Sequence, residues 1–303
     1  MNCTVAICTR NQIADLRETL ESVGGQVVNA TWDVIVVDNG SVDGTTEWVR
    51  RRAVDYPVPM HLSVEGRHGL SHARNRAIRE ARGEVILFID DDVTCAPNWL
   101  QGHLDAYKDP EVIGTGGRII PRFPADTPEW LRAELASKNG GPASRYDYGD
   151  SPAEVGGVDG LPAPLGANMG VRLALAKSIG FRADLGWGKR MVPGEESAFF
   201  EALITAGHKV VYCPEARLEH RLRASRMNMR YFLRWWRGCG RAAILRGERL
   251  TPSERAKASL GEGYRALRFA CKTLRYAQTS GQGLKVRKKR EMAIGRVLEL
   301  LGF

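Results

Sequence analysis

The sequence predicts an α/β fold in which a mostly parallel sheet is flanked by helices, followed by a C-terminal helical extension. The first observation is that short apolar runs alternate with segments of helical periodicity between residues 3 and 92. The second is that each apolar run ends in polar residues. This alternation is typical of doubly wound α/β units, which bind ligands beyond the carboxyl ends of their strands.

The individual elements follow from local patterns. Apolar runs predict strands, i, i+3, i+4 spacing predicts helices, and glycines mark helix ends. Ser71 is expected to cap the third helix. The predicted elements are a strand at 5–8, a helix from 13 to 24, a strand at 33–37, a helix from 43 to 52, a helix from 70 to 83 and a strand at 85–89.

Three consecutive carboxylates, Asp90, Asp91 and Asp92, directly follow the strand at 85–89. Carboxylates this close repel one another unless a cation lies between them. Their hard oxygen ligands suit Mg²⁺ or Mn²⁺, ions that usually accompany phosphates. A solvated turn that begins a helix at Asp92 would explain the same residues, so the triplet alone leaves both interpretations open.

The second half of the chain changes character twice. Residues 121–164 hold seven of the 14 prolines, which predicts long irregular loops. Ordered elements are expected again at 166–171, in a helix at 195–206 and in a strand at 209–213. From residue 226 the chain is predicted to be mainly helical, with breaks near 247–253 and 280–283.

The net charge of +9 is unevenly distributed. Residues 221–303 contain 21 Lys and Arg against 5 Asp and Glu (net +16), which leaves 23 against 30 (net −7) for residues 1–220. The six cysteines show neither paired metal-ligand spacing nor a disulfide framework. No apolar stretch approaches the ~18 residues that cross a bilayer and no secretory signal is recognisable, so we expect a cytoplasmic protein.

Seven motifs, in order, resemble those of family 2 inverting glycosyltransferases with the glycosyltransferase-A fold. They are Thr9-Arg10-Asn11, the strand ending Asp38-Asn39-Gly40-Ser41, Ala73-Arg74-Asn75, Asp90-Asp91-Asp92, Gly166-Ala167-Asn168-Met169, Glu195-Glu196 and His220. The resemblance implies a catalytic domain at 1–222, with a nucleotide-binding half at 1–115 and an acceptor-binding half at 116–222. The basic, mainly helical region at 223–303 lies outside it.

The resemblance also assigns roles. Asp92 and His220 would hold Mn²⁺ or Mg²⁺, although a surface histidine at a strand end is the alternative for His220. Asp38 would contact the base or ribose, and it also fits a turn. Contacts with the nucleotide-sugar are expected from Thr9, Arg10, Asn11, Asp38, Asn39, Arg74, Asn75, Asp90 and Asp91.

The remaining roles concern the reaction and the acceptor. Inverting transfer needs one general base. In the family the motif is usually Glu-Asp and its second residue is the base. Here Glu196 occupies the second position, so the resemblance points to Glu196 first and Glu195 second. Asn168 and Trp187 are expected to contact the acceptor, with a core tryptophan as the alternative for Trp187. A helix N-terminus that favours acidic residues would also explain the glutamate pair.

Five arginines of the C-terminal region recur at helical spacing opposite several aromatic residues. This pattern predicts a basic amphipathic helix on an anionic membrane surface, assisted by the basic cluster at 285–290. Packing of the helix on the acidic catalytic domain is the alternative, and a dimer interface also stays open. No nucleic-acid-binding motif is present. The arginines are Arg226, Arg230, Arg234, Arg237 and Arg241.

The prediction for the whole chain is a metal-dependent inverting glycosyltransferase. It would move a sugar from a nucleotide-sugar, with UDP as the expected nucleotide, to a glycan or lipid-linked acceptor. It would act in polysaccharide or glycoconjugate assembly at the inner face of the cell membrane. A non-catalytic nucleotide-sugar or glycan-binding module is the alternative, and a nucleotidyltransferase is a weaker one because no glycine-rich triphosphate loop is found near residue 10.

Overall fold

The computed structural model describes residues 2–137, 139–157, 160–188, 190–247, 250–276 and 280–303. The chain divides into two compact units. The first comprises Met1–Arg122, Asn139–Ala183 and Glu195–Leu222, and the second comprises Phe123–Lys138, Asp184–Gly194 and Arg223–Phe303. Each unit is described by itself.

The first unit is a mixed sheet with helices on its faces. Its helices are α1 (Ile13–Gly24), α2 (Thr45–Arg52), α3 (Leu70–Glu80), α4 (Trp99–Ala106), α6 (Leu173–Ile179) and α7 (Glu195–Thr205). Its strands are β1 (Asn2–Thr9), β2 (Thr31–Asp38), β3 (Met60–Val64), β4 (Val85–Ile89), β5 (Val93–Cys95), β6 (Val112–Arg122), β7 (Ala153–Glu154), β8 (Asn168–Arg172) and β11 (Lys209–Arg221).

The sheet order within the described residues is β3-β2-β1-β4-β8-β6-β11-β5, with β7 also paired to β11. The first four strands are parallel, and β6 and β11 are parallel to each other. The strand β8 runs antiparallel to its neighbours β4 and β6, and β5 runs antiparallel to β11. The predicted α/β fold with a mostly parallel sheet is confirmed.

Both faces of this sheet are buried, which explains why its strands are continuously apolar rather than alternating. Val5 and Ile7 of β1 pack in one hydrophobic cluster, and Ala6 between them packs in the other. Full burial of such a side chain stabilises the fold by roughly 1.5–3 kcal/mol. The sheet is therefore a rigid base for the polar residues at its edge.

The second unit is mainly helical. It contains α5 (Glu129–Ala136), α8 (Met229–Arg246), α9 (Pro252–Thr273), α10 (Gly281–Leu300) and the short antiparallel pair β9 (Gly186–Trp187) and β10 (Met191–Val192). The helices α8 and α10 approach closely where Gly240 faces the backbone of Met292, because a Cβ atom on Gly240 would collide with that backbone. The C-terminal helices that the sequence predicted are present.

Several local predictions were wrong. Ser71 lies inside α3 and does not cap it, since Gly69 occupies the N-cap position. The residues after Asp92 form β5, which pairs with β11, so the alternative interpretation of the triplet as the start of a helix does not hold. The proline-rich segment contains α5, and the prediction of irregular loops missed it.

The five-arginine stripe is not the free polar face of one helix. Arg226 precedes α8, which begins at Met229 behind the cap Asn228. Arg237 forms an ion pair with buried Glu291 of α10 at 2.6 Å, and Arg241 pairs with Glu299 of the same helix at 3.3 Å. Part of this charge therefore stabilises helix packing within the second unit.

The basic cluster at 285–290 is also partly used inside this unit. Lys288 pairs with Glu134 of α5 and lies 4.8 Å from the centre of the Trp236 ring, while Arg290 pairs with Glu291 at 2.8 Å.

Among the described residues, no helix has both the length and the hydropathy needed to cross a membrane.

Candidate active site

The carboxyl ends of three parallel strands meet at one edge of the sheet. In the register of β1 and β2, Thr9 lies opposite Asp38, and Ile7 of β1 lies opposite Ile89, the last residue of β4. Since Asp90 follows Ile89 directly, the strand register places the acidic triplet beside the ends of β1 and β2. Open α/β sheets bind ligands at this edge.

Two threonines hold the middle residue of the triplet, one through its carboxylate and the other through its backbone carbonyl. The Thr9 hydroxyl donates to Asp91 Oδ2 at 2.7 Å. The Thr19 hydroxyl of α1 lies 2.8 Å from the carbonyl oxygens of both Asp91 and Val93. These buried contacts fix the backbone of the triplet, so the directions of Asp90 and Asp92 are determined by the fold.

Antiparallel pairing brings His220 to the third carboxylate. His220 of β11 lies opposite Val93 of β5, and its Nε2 is 3.3 Å from Asp92 Oδ1. The other ring nitrogen, Nδ1, is 3.2 Å from the carbonyl oxygen of Ala143. A carbonyl oxygen only accepts hydrogen bonds, so Nδ1 carries a proton and Nε2 is the nitrogen that can bind a metal ion.

The residues around His220 fit a divalent cation. Ligand atoms of Asp90, Asp92 and His220 all lie within 4.8 Å of one another, and Asp92 and His220 are buried. Either a proton or a cation must lie between Nε2 and the Asp92 carboxylate, because two electron pairs repel each other. Two carboxylates and an imidazole are a suitable set for Mn²⁺ or Mg²⁺.

Arg74 of α3 connects this acidic cluster to the glutamate pair. Its guanidinium is buried, with Nη2 at 3.6 Å from Asp90 Oδ1 and Nη1 at 2.6 Å from Glu195 Oε1. Burial alone would lower the pKa of Arg74, but the carboxylates of Glu195 and Asp90 raise it, so the guanidinium stays charged. Gly166 leaves room for it, since a Cβ there would collide with the Arg74 side chain.

The two glutamates at the start of α7 have different surroundings. Glu195 is buried against Arg74, and Glu196 is half-buried. Burial first, and the adjacent Glu195 second, raise the pKa of the Glu196 carboxyl, and Arg74 opposes them. Within the described residues, neither Glu195 Oε2 nor Glu196 Oε2 has a hydrogen-bond partner, although both atoms are buried.

The predicted donor-binding residues fall into two groups. Arg10 and Asn11 are both exposed at the strand edge, and Arg10 contacts His68. Asp38 is fully buried and accepts hydrogen bonds from the Ser41 amide at 2.8 Å and from Thr46. It therefore has the turn geometry that the sequence offered as its alternative.

Asn39 and Asn75 are engaged with the protein backbone. The Asn39 side chain bonds to backbone atoms of Glu65, Arg67 and Gly69 and so fixes the loop before α3. The Asn75 amide donates to the Phe181 carbonyl and accepts from the Phe181 amide, both at 2.7 Å. Their contacts in this structure are structural, and the predicted contacts with a donor would need these bonds to be shared or broken.

The structure corrects the prediction for Asn168. This residue is fully buried, where its Oδ1 accepts from Trp99 and His103 and its Nδ2 donates to the carbonyls of Arg118 and Ala216. An amide with four partners has no capacity left for an acceptor sugar. Desolvation lowers the pKa of His103 to about 4, so its ring is neutral in this network.

Trp187, the other predicted acceptor contact, belongs to the second unit. Its ring stacks on Tyr231 with a centroid separation of 6.1 Å, and the Arg226 guanidinium lies 5.5 Å from its centre. Trp187 is half-buried. It is therefore not a core tryptophan, and the predicted contact with an acceptor stays a prediction.

Sequence reasoning missed Thr19, His68 and the ion pair between Arg74 and Glu195. A polar residue on the apolar face of α1 was a usable signal for Thr19, because a buried hydroxyl needs partners. No sequence signal links Arg74 to Glu195, since 121 positions separate them.

The fold is that of glycosyltransferase-A enzymes. The mannosyltransferase PcManGT from Pyrobaculum calidifontis, solved with GDP-Man and Mn²⁺, aligns with a TM-score of 0.62 and 20% identity over 97% of this chain and 86% of that one. S. aureus TarS 1–349, solved with UDP-GlcNAc, aligns with a TM-score of 0.56 and 19% identity over 94% and 76%.

The sequence comparisons define the family. Residues 4–159, just over half of the chain, match the profile of glycosyl transferase family 2. The chain is also 26% identical over 250 residues to the glucosyl-dolichyl phosphate glucuronosyltransferase of Haloferax volcanii, covering 78% of this chain and 75% of that protein. The protein therefore belongs to glycosyl transferase family 2 and is a glycosyltransferase, as the motif order predicted.

Proposed function

We propose that this protein is a metal-dependent inverting glycosyltransferase that uses a nucleotide-sugar donor. The observation that carries the proposal is the chain of contacts from His220 and Asp92 through Asp90 and Arg74 to Glu195. It links a cluster suited to a cation with a helix that offers candidate bases. The catalytic domain would comprise residues 1–222, and residues 223–303 would serve attachment or support.

Asp92 and His220, with Asp90 beside them, would hold Mn²⁺ or Mg²⁺. When bound, the ion neutralises negative charge that develops on the departing diphosphate. The protein contributes the fixed direction of its ligands, since Thr9 holds the Asp91 carboxylate and Thr19 holds the backbone of the triplet. Arg10 and Asn11, at the open strand edge, are the residues we propose to contact the nucleotide.

Glu196 would be the general base. It would take the proton from the acceptor hydroxyl as that oxygen attacks the anomeric carbon. Both glutamates keep a buried carboxylate oxygen without a hydrogen-bond partner among the described residues, but Arg74 forms its ion pair with Glu195. The raised pKa of Glu196 suits a group that accepts a proton near neutral pH.

The donor and acceptor are proposed on chemical grounds and by similarity. Neighbouring structures hold GDP-Man or UDP-GlcNAc, and UDP is the nucleotide that we propose first. The name of the haloarchaeal relative describes transfer to a lipid-linked sugar, so we propose a glycan or lipid-linked acceptor at the cytoplasmic face of a membrane.

The test is nucleoside-diphosphate release from a panel of UDP-, GDP- and dTDP-sugars with Mn²⁺, Mg²⁺ or EDTA. We expect slow hydrolysis of one donor that EDTA abolishes. Hydrolysis that persists in EDTA would contradict the metal site. Calorimetric binding of a donor that no acceptor preparation consumes would contradict transfer and favour a binding module, and release of pyrophosphate would indicate a nucleotidyltransferase.

A further inference from the structure

The helix α9 carries an apolar stripe that faces solvent. Leu260, Tyr264, Leu267, Cys271 and Leu274 recur at alternating spacings of four and three residues. At 3.6 residues per turn they fall within an arc of roughly 80°. Leu260 is 77%, Leu267 64% and Leu274 89% exposed, and Leu274 is the first residue after the helix.

This stripe is not the face with which α9 packs in its own unit. The buried residue of the helix is Glu262, which pairs with Arg265 and with Arg296 of α10. Glu262 lies about 140–160° around the helix from Leu267 and Leu260 at roughly 100° per residue. The stripe is therefore a second face, separate from the packed one.

One border of the stripe is cationic. Lys257, Arg268 and Lys272 of α9 are exposed, and Arg275 follows just beyond the helix. At roughly 100° per residue these four side chains lie about 60–120° to one side of the stripe centre. None of the described residues forms an ion pair with any of them. The only acidic residue of α9 on that side is Glu254, which is engaged in the N-terminal capping box with Thr251.

We propose that this face of α9 docks on an anionic lipid membrane. Exposed leucines beside a tyrosine, bordered by Lys and Arg, are the composition of helices that lie in the interface between head groups and acyl chains. Long cationic side chains extend to the head groups while their stems cover apolar surface. Charge complementarity favours an anionic surface, to which each cation adds attraction.

A second copy of the chain fits this face less well. If two α9 stripes packed against each other, the cations of both helices would lie next to the same helix–helix contact. Like charges at such positions oppose association. The same charges favour an anionic bilayer, so the membrane is the occupant that the composition selects.

This inference deepens the proposed action at a membrane and rests on that part of the proposed function. It also replaces the surface that the sequence predicted. Arg237 and Arg241 of α8 and Lys288 of α10 are used in ion pairs inside the unit, whereas the cations beside the α9 stripe are not.

The test is co-sedimentation of the full chain with vesicles of phosphatidylcholine alone or with about one third phosphatidylglycerol. We expect binding to the anionic vesicles. Leu260→Ser combined with Leu267→Ser should weaken it by about tenfold or more, because less apolar area enters the interface. The matched control is Val54→Ser, which changes an 88% exposed apolar residue of the first unit and should leave binding unchanged.

A charge variant, Arg268→Gln with Lys272→Gln, keeps the stripe intact. It should reduce binding to the anionic vesicles by roughly tenfold and narrow the difference in binding between anionic and phosphatidylcholine vesicles. Circular dichroism would verify that each variant folds. Donor hydrolysis without vesicles should stay at the wild-type rate in all of them, so loss of docking is separable from loss of catalysis.

Three outcomes would overturn the proposal. Anionic-vesicle binding that survives both α9 variants would place membrane contact elsewhere in the chain. Absence of vesicle binding, with a wild-type dimer in light scattering that the leucine variant converts to a monomer, would assign the stripe to a second copy. Absence of both behaviours would equally reject membrane docking by α9.

Discussion

The acidic strand edge of the first unit and the exposed face of α9 in the second unit differ in which side chains are buried and which are exposed. At the strand edge, Arg74, Asp92 and Glu195 are buried, and Arg74 contacts both Asp90 and Glu195. On α9, leucines and cations lie side by side in solvent. Buried charge that is compensated indicates a rigid site for chemistry, while exposed apolar surface indicates a site for association.

The largest effect is expected from substitution of a proposed metal-ligating residue at the strand edge. Asp92→Asn should lower metal-dependent transfer by about a thousandfold, since the variant removes a negative charge from the proposed cation site. Steady-state turnover with the donor identified by the panel would measure it.

The matched control is Asp33→Asn. Asp33 lies in β2, at the end of the strand away from the acidic edge. Asp33 accepts a hydrogen bond from Thr4 at 2.7 Å and lies near the amino end of its strand. Its loss should change activity less than about threefold, because ligands bind at the carboxyl edge. Equal losses in the two variants would indicate that Asp92 acts only through stability.

The next largest effect is expected on the turnover number, which distinguishes Glu196 from Glu195. Glu196→Gln should reduce kcat by roughly a hundredfold to a thousandfold and leave donor KM nearly unchanged, because it removes the base and keeps the shape. An active Glu196→Gln variant would transfer the role to Glu195 or to another group.

Glu195→Gln should act first on stability. It leaves the buried Arg74 charge with less compensation, and removal of one partner of such a pair costs about 3 kcal/mol. Urea unfolding monitored by fluorescence would measure the change. A loss below about 1 kcal/mol would show that the pair between Arg74 and Glu195 contributes little.

The same substitution should move the pH profile. The base must be ionised to accept a proton, so kcat/KM should rise with pH through the raised pKa of Glu196. Its acid limb should therefore lie above the ordinary glutamate value of about 4.3. Glu195→Gln removes a neighbouring negative charge and should shift that limb to lower pH, whereas an unmoved limb would exclude Glu196 as its source.

The smallest effect belongs to the helical unit. Arg237→Ala should destabilise the protein by about 1–2 kcal/mol, since Glu291 is buried and loses a partner at 2.6 Å. Arg230→Ala, on an exposed position of the same helix, should stay within about 0.5 kcal/mol. Thermal unfolding of both variants would show whether only one of these arginines supports packing.

The two regions also differ in how far the sequence predicted them. At the strand edge, apolar runs located most strands, and parallel strands bring their carboxyl ends together, so Thr9, Asp38 and Asp90 were placed correctly at one edge. What the sequence could not give was contact across the fold, such as Arg74 with Glu195, or the complete burial of Asn168. Those depend on tertiary packing between distant segments.

In the helical unit, periodicity identified the helices but not the face that each one buries. The arginines of α8 form a conspicuous stripe, yet Arg237 and Arg241 turn to acidic residues of α10. The stripe of α9 is less conspicuous because Gly, Ala and charged residues separate its apolar residues. Only the packed structure shows which of the two helices leaves apolar residues in solvent.

The most direct test of the account is binding of Mn²⁺, measured by electron paramagnetic resonance on the full chain with and without a nucleoside diphosphate. We predict one bound ion per chain, tighter with the nucleotide present, and loss of that binding in Asp92→Asn but not in Asp33→Asn. Stoichiometric binding that Asp92→Asn leaves unchanged, or no binding by the wild type even with nucleotide, would contradict a metal site at Asp90, Asp92 and His220.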